Sequence, residues 1–142
     1  MSFMAYLLDT CALSELSAKK PDPRVVDALL ALPREQVYIS TITLGEIQQG
    51  IEQLPASARK DFLLKWFAES VLAVFAPRII HVDIPIALKW GSLRAHLRVK
   101  GFAPQVVDSL IASTALVHDL TVVTENEKDF AATGVKTFNP WR

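Results

Sequence analysis

The stretch AYLLDTCALSEL, residues 5–16, predicts a buried strand that runs directly into a helix. Its apolar residues 5–8 are too few to span a membrane and are typical of a strand inside a sheet. Asp9 follows at once, and Leu13 and Leu16 continue at helical spacing. Open α/β sheets bind their ligands at the carboxyl ends of the strands, so Asp9 is a candidate site residue. Alternatively, Asp9 is an ordinary helix N-cap.

The composition is that of a globular protein without a dominant charge. The 142 residues are 51% hydrophobic, and the formal net charge is zero. This length predicts one domain spanning residues 1–142. The balanced charge means that any binding of nucleic acid needs a local basic patch. A single cysteine, Cys11, excludes an internal disulfide, and no signal or membrane-spanning segment is recognisable, so we expect a cytoplasmic protein without membrane contact.

Apolar strand-like runs alternate with helical patterns along the whole chain. The predicted strands are residues 5–8, 37–39, 79–82, 120–124 and 135–138. Strands separated by helices predict an α/β fold with a four- to five-stranded parallel sheet and helices on both faces.

Two further carboxylates stand near predicted helix starts. Glu46 lies in the sequence TLGE, residues 43–46, which is typical of a capping box with Thr43 as the N-cap, and this local interpretation is favoured. Asp108 lies near the start of the most apolar helix, whose own face carries Ala112 and Ala115. There it is either the N-cap or a buried charge that needs a cation, because burying an isolated charge is prohibitive.

A polar segment, TENEKD, follows the fourth predicted strand at residues 124–129. It predicts a turn with Asn126 as N-cap, and it also supplies Thr124 and Asp129 to the carboxyl edge of the sheet. If the first and fourth strands are neighbours, these side chains and Asp9 share one crevice. Carboxylate and amide oxygens there suit Mg²⁺ or Mn²⁺. The scattered histidines form no zinc motif and are expected at the surface or hydrogen-bonded in the core, at His81, His96 and His118.

Four segments together resemble the PIN-domain family, in particular its VapC-type and FitB-like toxins of toxin–antitoxin systems. The segments are LLDTCALSEL, ISTITLGEIQQGI, VVDSLIASTALVHDLTVVTENEKDF and GVKTFNPW, in the family's order. The resemblance implies an α/β/α fold and a metal-dependent endoribonuclease that acts on RNA. It also implies a VapB-like antitoxin as partner.

The resemblance assigns roles to individual residues. Asp9, Glu46 and Asp108 correspond to the family's three acids, which implies that they hold Mg²⁺ or Mn²⁺. Asn126 falls on the fourth position. The same pocket is lined by Thr10, Thr124 and Asp129. The family usually has Asn where Cys11 stands and Arg where Glu125 stands, and we expect Cys11 to be a small packing residue, although a place near a helix start could lower its pKa.

Two surfaces are candidates for binding partners. The helix predicted over residues 86–99 is basic, and Arg94, Arg98 and Lys100 could contact RNA; a merely solvated face is an equal alternative. The aromatic residues Phe62, Trp66 and Phe67 exceed what one helix face usually buries. We expect most of them in the core, with a homodimer or an antitoxin groove as the alternative.

Other functions remain open from the residues alone. Asp9 could be the nucleophile of a phosphatase, but Cys11 stands where such enzymes need a second Asp. Asp83 could be the phosphoacceptor of a receiver-like domain, but the acidic pair after the first strand is lacking. A PIN-like module that binds an antitoxin or RNA without cleavage is the alternative that needs no metal at the three carboxylates.

Overall fold

In the computed structural model, which describes residues 4–142, five parallel strands form one sheet in the order β3-β2-β1-β4-β5. The strands are β1 (Tyr6–Leu8), β2 (Val37–Ser40), β3 (Ile79–Ile80), β4 (Thr121–Val123) and β5 (Thr137–Phe138). The five predicted strands are therefore confirmed, although the third, fourth and fifth are each two residues shorter than the sequence pattern indicates and the first is one residue shorter. Residues 81 and 82 lie outside β3, because the chain already turns towards the next helix.

Helices connect the strands and cover both faces of the sheet. They are α1 (Thr10–Glu15), α2 (Pro23–Leu30), α3 (Thr41–Glu52), α4 (Ala58–Trp66), α5 (Ala73–Phe75), α6 (Ile84–Val99), α7 (Val106–His118) and α8 (Glu127–Phe130). A π-helical segment, Phe67–Leu72, joins α4 to α5, so the long helix predicted there is one continuous helical run. No helix in residues 4–142 is long and apolar enough to cross a membrane.

Alternation along the central strands divides the apolar side chains between two cores. Leu8 of β1 and Val123 of β4 lie in the core beneath α1 to α5, whereas Leu7 and Val122 lie in the core beneath α6 and α7. Successive strand residues point to opposite faces, so a strand buried on both sides must be apolar throughout. This is why AYLL is a continuous apolar run rather than an alternating one.

The aromatic residues of α4 and the following turn divide between core and surface. Phe67 is buried, Trp66 packs partly against the same core, and Phe62 is exposed. The guanidinium of Arg59 lies 5.5 Å from the centre of the Phe62 ring. The expectation that most of these rings are in the core is confirmed, with Phe62 as the exception.

The position of β1 decides where the functional candidates meet. β1 pairs with β2 on one side and with β4 on the other, so Tyr6 lies opposite both Val37 and Thr121. The chain builds one half of the sheet with β1 to β3 and then crosses to the other half. The crevice beyond the carboxyl ends of β1 and β4 is the usual ligand position in such sheets.

Candidate active site

Asp9 is both a helix cap and a buried acid. Its backbone N–H donates to the Val123 carbonyl at 3.1 Å, and its Oδ1 accepts from the Ala12 N–H at 2.8 Å, which caps α1. Only 5% of Asp9 is exposed. Burial raises its pKa and the neighbouring Glu46 raises it further, against hydrogen bonds from Thr124 and the backbone that lower it. The N-cap interpretation of Asp9 is therefore confirmed, and the same side chain remains a candidate site residue.

Glu46 reaches the same place from α3. The helix begins at Thr41, and its N-cap is Ser40, whose hydroxyl accepts from the Ile42 N–H at 3.1 Å. The predicted capping box is wrong, since Thr43 is already inside the helix. Glu46 instead lies in the second turn, where its carboxylate accepts a hydrogen bond from the Thr10 hydroxyl.

Asp108 lies in the first turn of α7, where the N-cap is Gln105 rather than Asp108. It is neither the cap nor fully buried, so both predicted alternatives need correction. Partial burial, then the charges of Asp129, Asp9 and Glu46, raise its pKa to about 6. Like charges close together disfavour ionisation, so the four carboxylates form one acidic group.

The segment after β4 completes the edge of this group. The buried Thr124 hydroxyl accepts from the Asn126 N–H at 2.9 Å, which forms the tight turn. Asn126 occupies the N-cap position of α8, but its side chain makes no capping hydrogen bond. Its amide instead donates to the Cys11 sulfur at 3.6 Å.

Cys11 differs from its sequence prediction in two respects. The residue is exposed at the rim of the acidic group rather than packed in the core. Loss of hydration around the thiol raises its pKa to about 11, and the carboxylates of Asp9 and Glu125 add to the effect. Its position near the start of α1 therefore does not produce a reactive thiolate, because desolvation of the thiol and the neighbouring acids both oppose the helix dipole.

A groove of about 480 Å³ opens beside Asp108 and Asp129. Its walls come from the loop before α7 and from α8, and Lys128 supplies a cation at the groove. A second groove, of about 500 Å³, lies beside Arg98 and shares the loop residues 102–104 as a wall. The acidic group and the basic end of α6 are therefore neighbours on the surface.

Arg94 is bound to its own chain. Its Nη1 donates to the Pro104 carbonyl at 3.0 Å and to the Ser109 hydroxyl at 3.2 Å, and its guanidinium lies 5.3 Å from the centre of the Trp90 ring. The Trp90 N–H donates to Ser109 at 3.0 Å. Arg94 thus holds the start of α7, which lacks a side-chain cap, whereas Arg98 and Lys100 are exposed.

The donor set fits a hard divalent cation in its chemistry. Oxygen ligands dominate it, and none of Asp9, Glu46 or Asp108 forms a salt bridge within residues 4–142. The same described residues contain no group of three or more His, Cys, Asp or Glu side chains already arranged to hold a metal. The carboxylates are therefore close enough to repel one another but have not converged on a common point.

The sequence interpretation missed the network that supports the site. Trp90, Arg94 and Ser109 come from two helices, and no spacing motif connects them in the sequence. Lys128 lies in the polar segment TENEKD, but its place in the groove depends on the packing of α8 beside α7. The histidines are exposed, and Asp83 caps α6 through the Ile86 N–H, away from the acidic group.

Known protein families and sequences match nearly the whole chain. The PIN domain model matches residues 6–136. Toxin FitB of Neisseria gonorrhoeae is 38% identical over 135 residues, which cover 95% of this chain and 97% of FitB. The VapC ribonuclease Y4jK of Sinorhizobium fredii is 31% identical over 135 residues, which cover 95% of this chain and 96% of Y4jK.

Solved structures share the same fold. A structure of FitAB bound to the DNA fragment IR36 has a chain that superposes with a TM-score of 0.91 at 36% identity, over 96% of each chain. VapBC2 of Rickettsia felis, bound to a promoter DNA fragment, gives a TM-score of 0.76 at 30% identity, over 96% of this chain and 98% of the other.

Proposed function

Because the chain belongs to the PIN domain family, we propose that it is a ribonuclease that acts as the toxin of a toxin–antitoxin pair. The observation that carries this proposal is the meeting of Asp9, Glu46, Asp108 and Asp129, from four separate elements, at the carboxyl edge of the sheet. Burial and, after it, the charges of the other three carboxylates raise the pKa of Asp108, so the arrangement costs stability and has no structural benefit. Homologues named as ribonucleases support the reaction class.

The activity is proposed to depend on Mg²⁺ or Mn²⁺ held by Asp9, Glu46 and Asp108. Such a cation supplies Lewis-acid activation of water and neutralises charge on the phosphate. It would also remove the repulsion among the carboxylates. Small side-chain rotations are needed, because the described residues contain no ready group of three ligands.

Other residues of the chain orient this site. The Thr10 hydroxyl donates to Glu46 and fixes its carboxylate, and the Thr124 hydroxyl does the same for Asp9. Asn126 presents its amide at the rim, where it would hold a water molecule or a substrate oxygen. Lys128 would contact a phosphate of RNA lying in the groove beside Asp108.

The path of the RNA is proposed to continue over the basic end of α6. Arg98 and Lys100 are exposed there, and the groove beside Arg98 shares its wall with the groove beside Asp108. Arg94 is not assigned to RNA, since its guanidinium is already bound to Pro104 and Ser109. Phosphate contacts of this kind make binding weaker as salt is raised.

The partner is proposed to be an antitoxin protein. Structures of FitAB and VapBC2 are similar to this chain at TM-scores of 0.91 and 0.76, and FitAB and VapBC2 were each solved bound to DNA. The assignment predicts that this chain also forms a complex with a small protein that binds its own promoter.

The test compares two identical substitutions on one helix. We expect Asp108→Asn to lower the rate of RNA cleavage in Mg²⁺ or Mn²⁺ by at least about 100-fold. Asp119→Asn, at the exposed end of α7, should leave the rate unchanged. Chelation by EDTA should stop the wild-type reaction, and added Mn²⁺ should restore it. Full activity of Asp108→Asn, or of the wild type in EDTA, contradicts the proposed metal site.

A binding module without catalysis is the second candidate. It is favoured by the lack of a ready metal-ligand group in residues 4–142 and by the acidic Glu125 where the family usually has Arg. Calorimetric titration with Mn²⁺ separates the two. If the protein is a nuclease, the wild type should bind Mn²⁺ and Asp108→Asn should not. If it is a binding module without catalysis, neither the wild type nor Asp108→Asn should give a heat of binding.

A further inference from the structure

Helix α8 carries part of the acidic group, yet it is too short to hold itself in place. It has four residues, Glu127–Phe130, and the side chain of its N-cap, Asn126, makes no capping hydrogen bond. Helices of this length are unstable alone, because few backbone hydrogen bonds offset the cost of ordering the first turn. Phe130 is fully buried and fixes the C-terminal end of α8. The N-terminal end, which carries Asn126, needs another support.

Charge repulsion acts against the position of α8. After burial, the charge of Asp129 is the largest cause of the raised pKa of Asp108, so the two carboxylates are close and repel one another. Neither Asp129 nor Lys128 forms a salt bridge within residues 4–142. The two α8 side chains that line the groove beside Asp108 therefore do not hold the helix there.

Asn139, just after β5, supplies the missing support. Its Nδ2 donates to the Glu127 Oε1 at 2.8 Å and to the Glu125 carbonyl at 3.3 Å. Its Oδ1 accepts from the Trp141 N–H at 2.9 Å. These contacts use the donor and the acceptor of the amide in one orientation only. Asn139 thus binds the backbone before α8 and the first residue of α8.

Asn139 can hold α8 because its own segment is fixed to the sheet. The preceding residue, Phe138, lies in β5, and its carbonyl accepts from the Thr124 N–H at 3.0 Å. The following residue, Pro140, is buried, and Trp141 packs against the core beneath α1 to α5. Asn139 therefore stands between two anchored positions.

Arg142 contributes a second contact at Glu127. Its Nε lies 2.7 Å from the Glu127 Oε1, and its Nη2 donates to Oε2 at 2.9 Å. The hydrogen bond from Asn139 and then the contact with Arg142 hold the pKa of Glu127 below its usual range, so this carboxylate is charged. The Arg142 side chain is 76% exposed, whereas the Asn139 contact is partly buried and is expected to contribute more. We call Glu127, Asn139 and Arg142 the α8 clasp.

We propose that Asn139 is a positioning residue of the active site, and that it acts through the α8 clasp to hold Asn126 and Asp129 beside the acidic group. Asn126 lies between the two positions that Asn139 binds. Its carbonyl accepts from the Asp129 N–H at 3.0 Å, so the two residues move together. Without the clasp, repulsion from Asp108 displaces α8 outwards. The effect on cleavage rests on the proposed nuclease activity, whereas the placement of α8 does not.

The first test reverses one hydrogen bond of the clasp. Asn139→Asp keeps the acceptor for the Trp141 N–H but replaces the donor to Glu127 with a like charge. We expect kcat at saturating RNA and Mn²⁺ to fall by about tenfold, as is common for residues that orient a metal site. Combining Asn139→Asp with Glu127→Gln lets residue 127 donate to residue 139, and should restore kcat to within about threefold of the wild type.

The matched control for this test is Lys136→Gln. It removes the ion pair between Lys136 and Asp119, 3.4 Å apart, which lies before β5 and outside the clasp. Its kcat should equal that of the wild type, and circular dichroism should show all variants folded at the assay temperature. An unchanged kcat in Asn139→Asp, or a double variant as slow as Asn139→Asp alone, overturns the proposal.

The second test measures the placement of α8 without cleavage, by amide hydrogen exchange of the metal-free protein. Asn139→Asp should speed exchange of the Asp129 N–H by at least about fivefold, because exchange follows the free energy of local opening. The double variant should restore the wild-type rate, and Lys136→Gln should not change it. Unchanged exchange in Asn139→Asp overturns the inference even if the protein cleaves RNA. If the wild type does not cleave RNA, the proposed function fails, while the expected exchange pattern still supports the placement of α8 by Asn139.

Discussion

Helices α1 and α2 both begin with an aspartate N-cap, but the two carboxylates lie in opposite surroundings. Asp9 caps α1 and Asp22 caps α2, and each carboxylate accepts a hydrogen bond from a backbone N–H of its helix. Asp22 also binds Arg24 at 3.0 Å, and that contact holds its pKa below the usual range. Asp9 is buried beside Glu46, and its pKa is raised.

The comparison shows that helix capping does not explain why Asp9 is buried or why it lies beside another acid. A helix cap needs neither burial nor acidic neighbours, as Asp22 demonstrates. Two residues after each Asp, α2 has Arg24, which neutralises its cap, whereas α1 has Cys11, which does not. The start of α1 therefore has an unbalanced charge that a bound cation would balance.

The largest expected effect comes from making the same substitution at both caps. Asp9→Asn should abolish RNA cleavage, yet raise the melting temperature of the metal-free protein at pH 7.5, because Asn still caps the helix and no longer buries a charge. Asp22→Asn should leave cleavage unchanged and lower the melting temperature slightly, because it loses the Arg24 contact. Thermal unfolding in EDTA and an RNA cleavage assay measure both. If both variants shift the melting temperature in the same direction, the proposed difference between the two caps is wrong.

Desolvation and the neighbouring acids together keep the thiol of Cys11 protonated. With a pKa of about 11 instead of 9.0, its thiolate fraction at pH 7 is about 100-fold smaller than normal, so alkylation by iodoacetamide should be slower by about that factor. Unfolding in urea should restore the ordinary rate. Asp9→Asn should speed the native reaction in part, and Asp22→Asn should not change it. Alkylation of the native protein at the rate of a free thiol would contradict the raised pKa, and an unchanged rate in Asp9→Asn would show that the Asp9 carboxylate does not act on Cys11.

The start of α7 sharpens the comparison, because it has no side-chain cap and is held by Arg94 instead. Arg94→Ala should weaken Mn²⁺ binding by about tenfold, since residues that orient ligands commonly contribute this much. Arg94→Lys should recover little of it, because a lysine cannot both stack on Trp90 and donate to two acceptors. Calorimetry gives the affinity. If Mn²⁺ affinity is unchanged while the melting temperature falls, Arg94 is structural only.

The smallest effect is the pH dependence of stability without metal. The pKa of Asp108 rises from 3.8 to about 6 on folding, so its folded form is favoured at low pH and loses stability as pH rises through 6. The melting temperature in EDTA should therefore be a few degrees higher at pH 5 than at pH 7.5. Asp108→Asn should reduce this difference, and the raised pKa of Asp9 should leave a remainder of the same sign. Asp22, whose pKa is lowered, contributes its stability above about pH 4 and loses it only as the pH falls further, so it does not change between pH 5 and pH 7.5. A wild-type profile that rises towards pH 7.5 would contradict the assignment.

Local patterns predicted the sheet because burial on both faces demands continuous apolar strands such as residues 5–8. The placement of Asp9 beside β4 followed from the rule for strand ends and is confirmed by the pairing of β1 with β4. The local sequence could not predict the position of Glu46, because TLGE has the pattern of a capping box. The helix in fact begins earlier, with Ser40 as its N-cap. Arg94 was a candidate for RNA contact, with a solvated face as the equal alternative. Its contacts with Pro104 and Ser109 depend on helix packing that no sequence spacing indicates.

The dispersal of the acidic group along the chain has a consequence for synthesis. Its members lie at the N-cap of α1 and in α3, α7 and α8, at residues 9, 46, 108 and 129. No nascent chain shorter than this span contains them all, and β4 must have paired with β1 before they meet. A partial translation product that ends before residue 129 therefore lacks the complete acidic group.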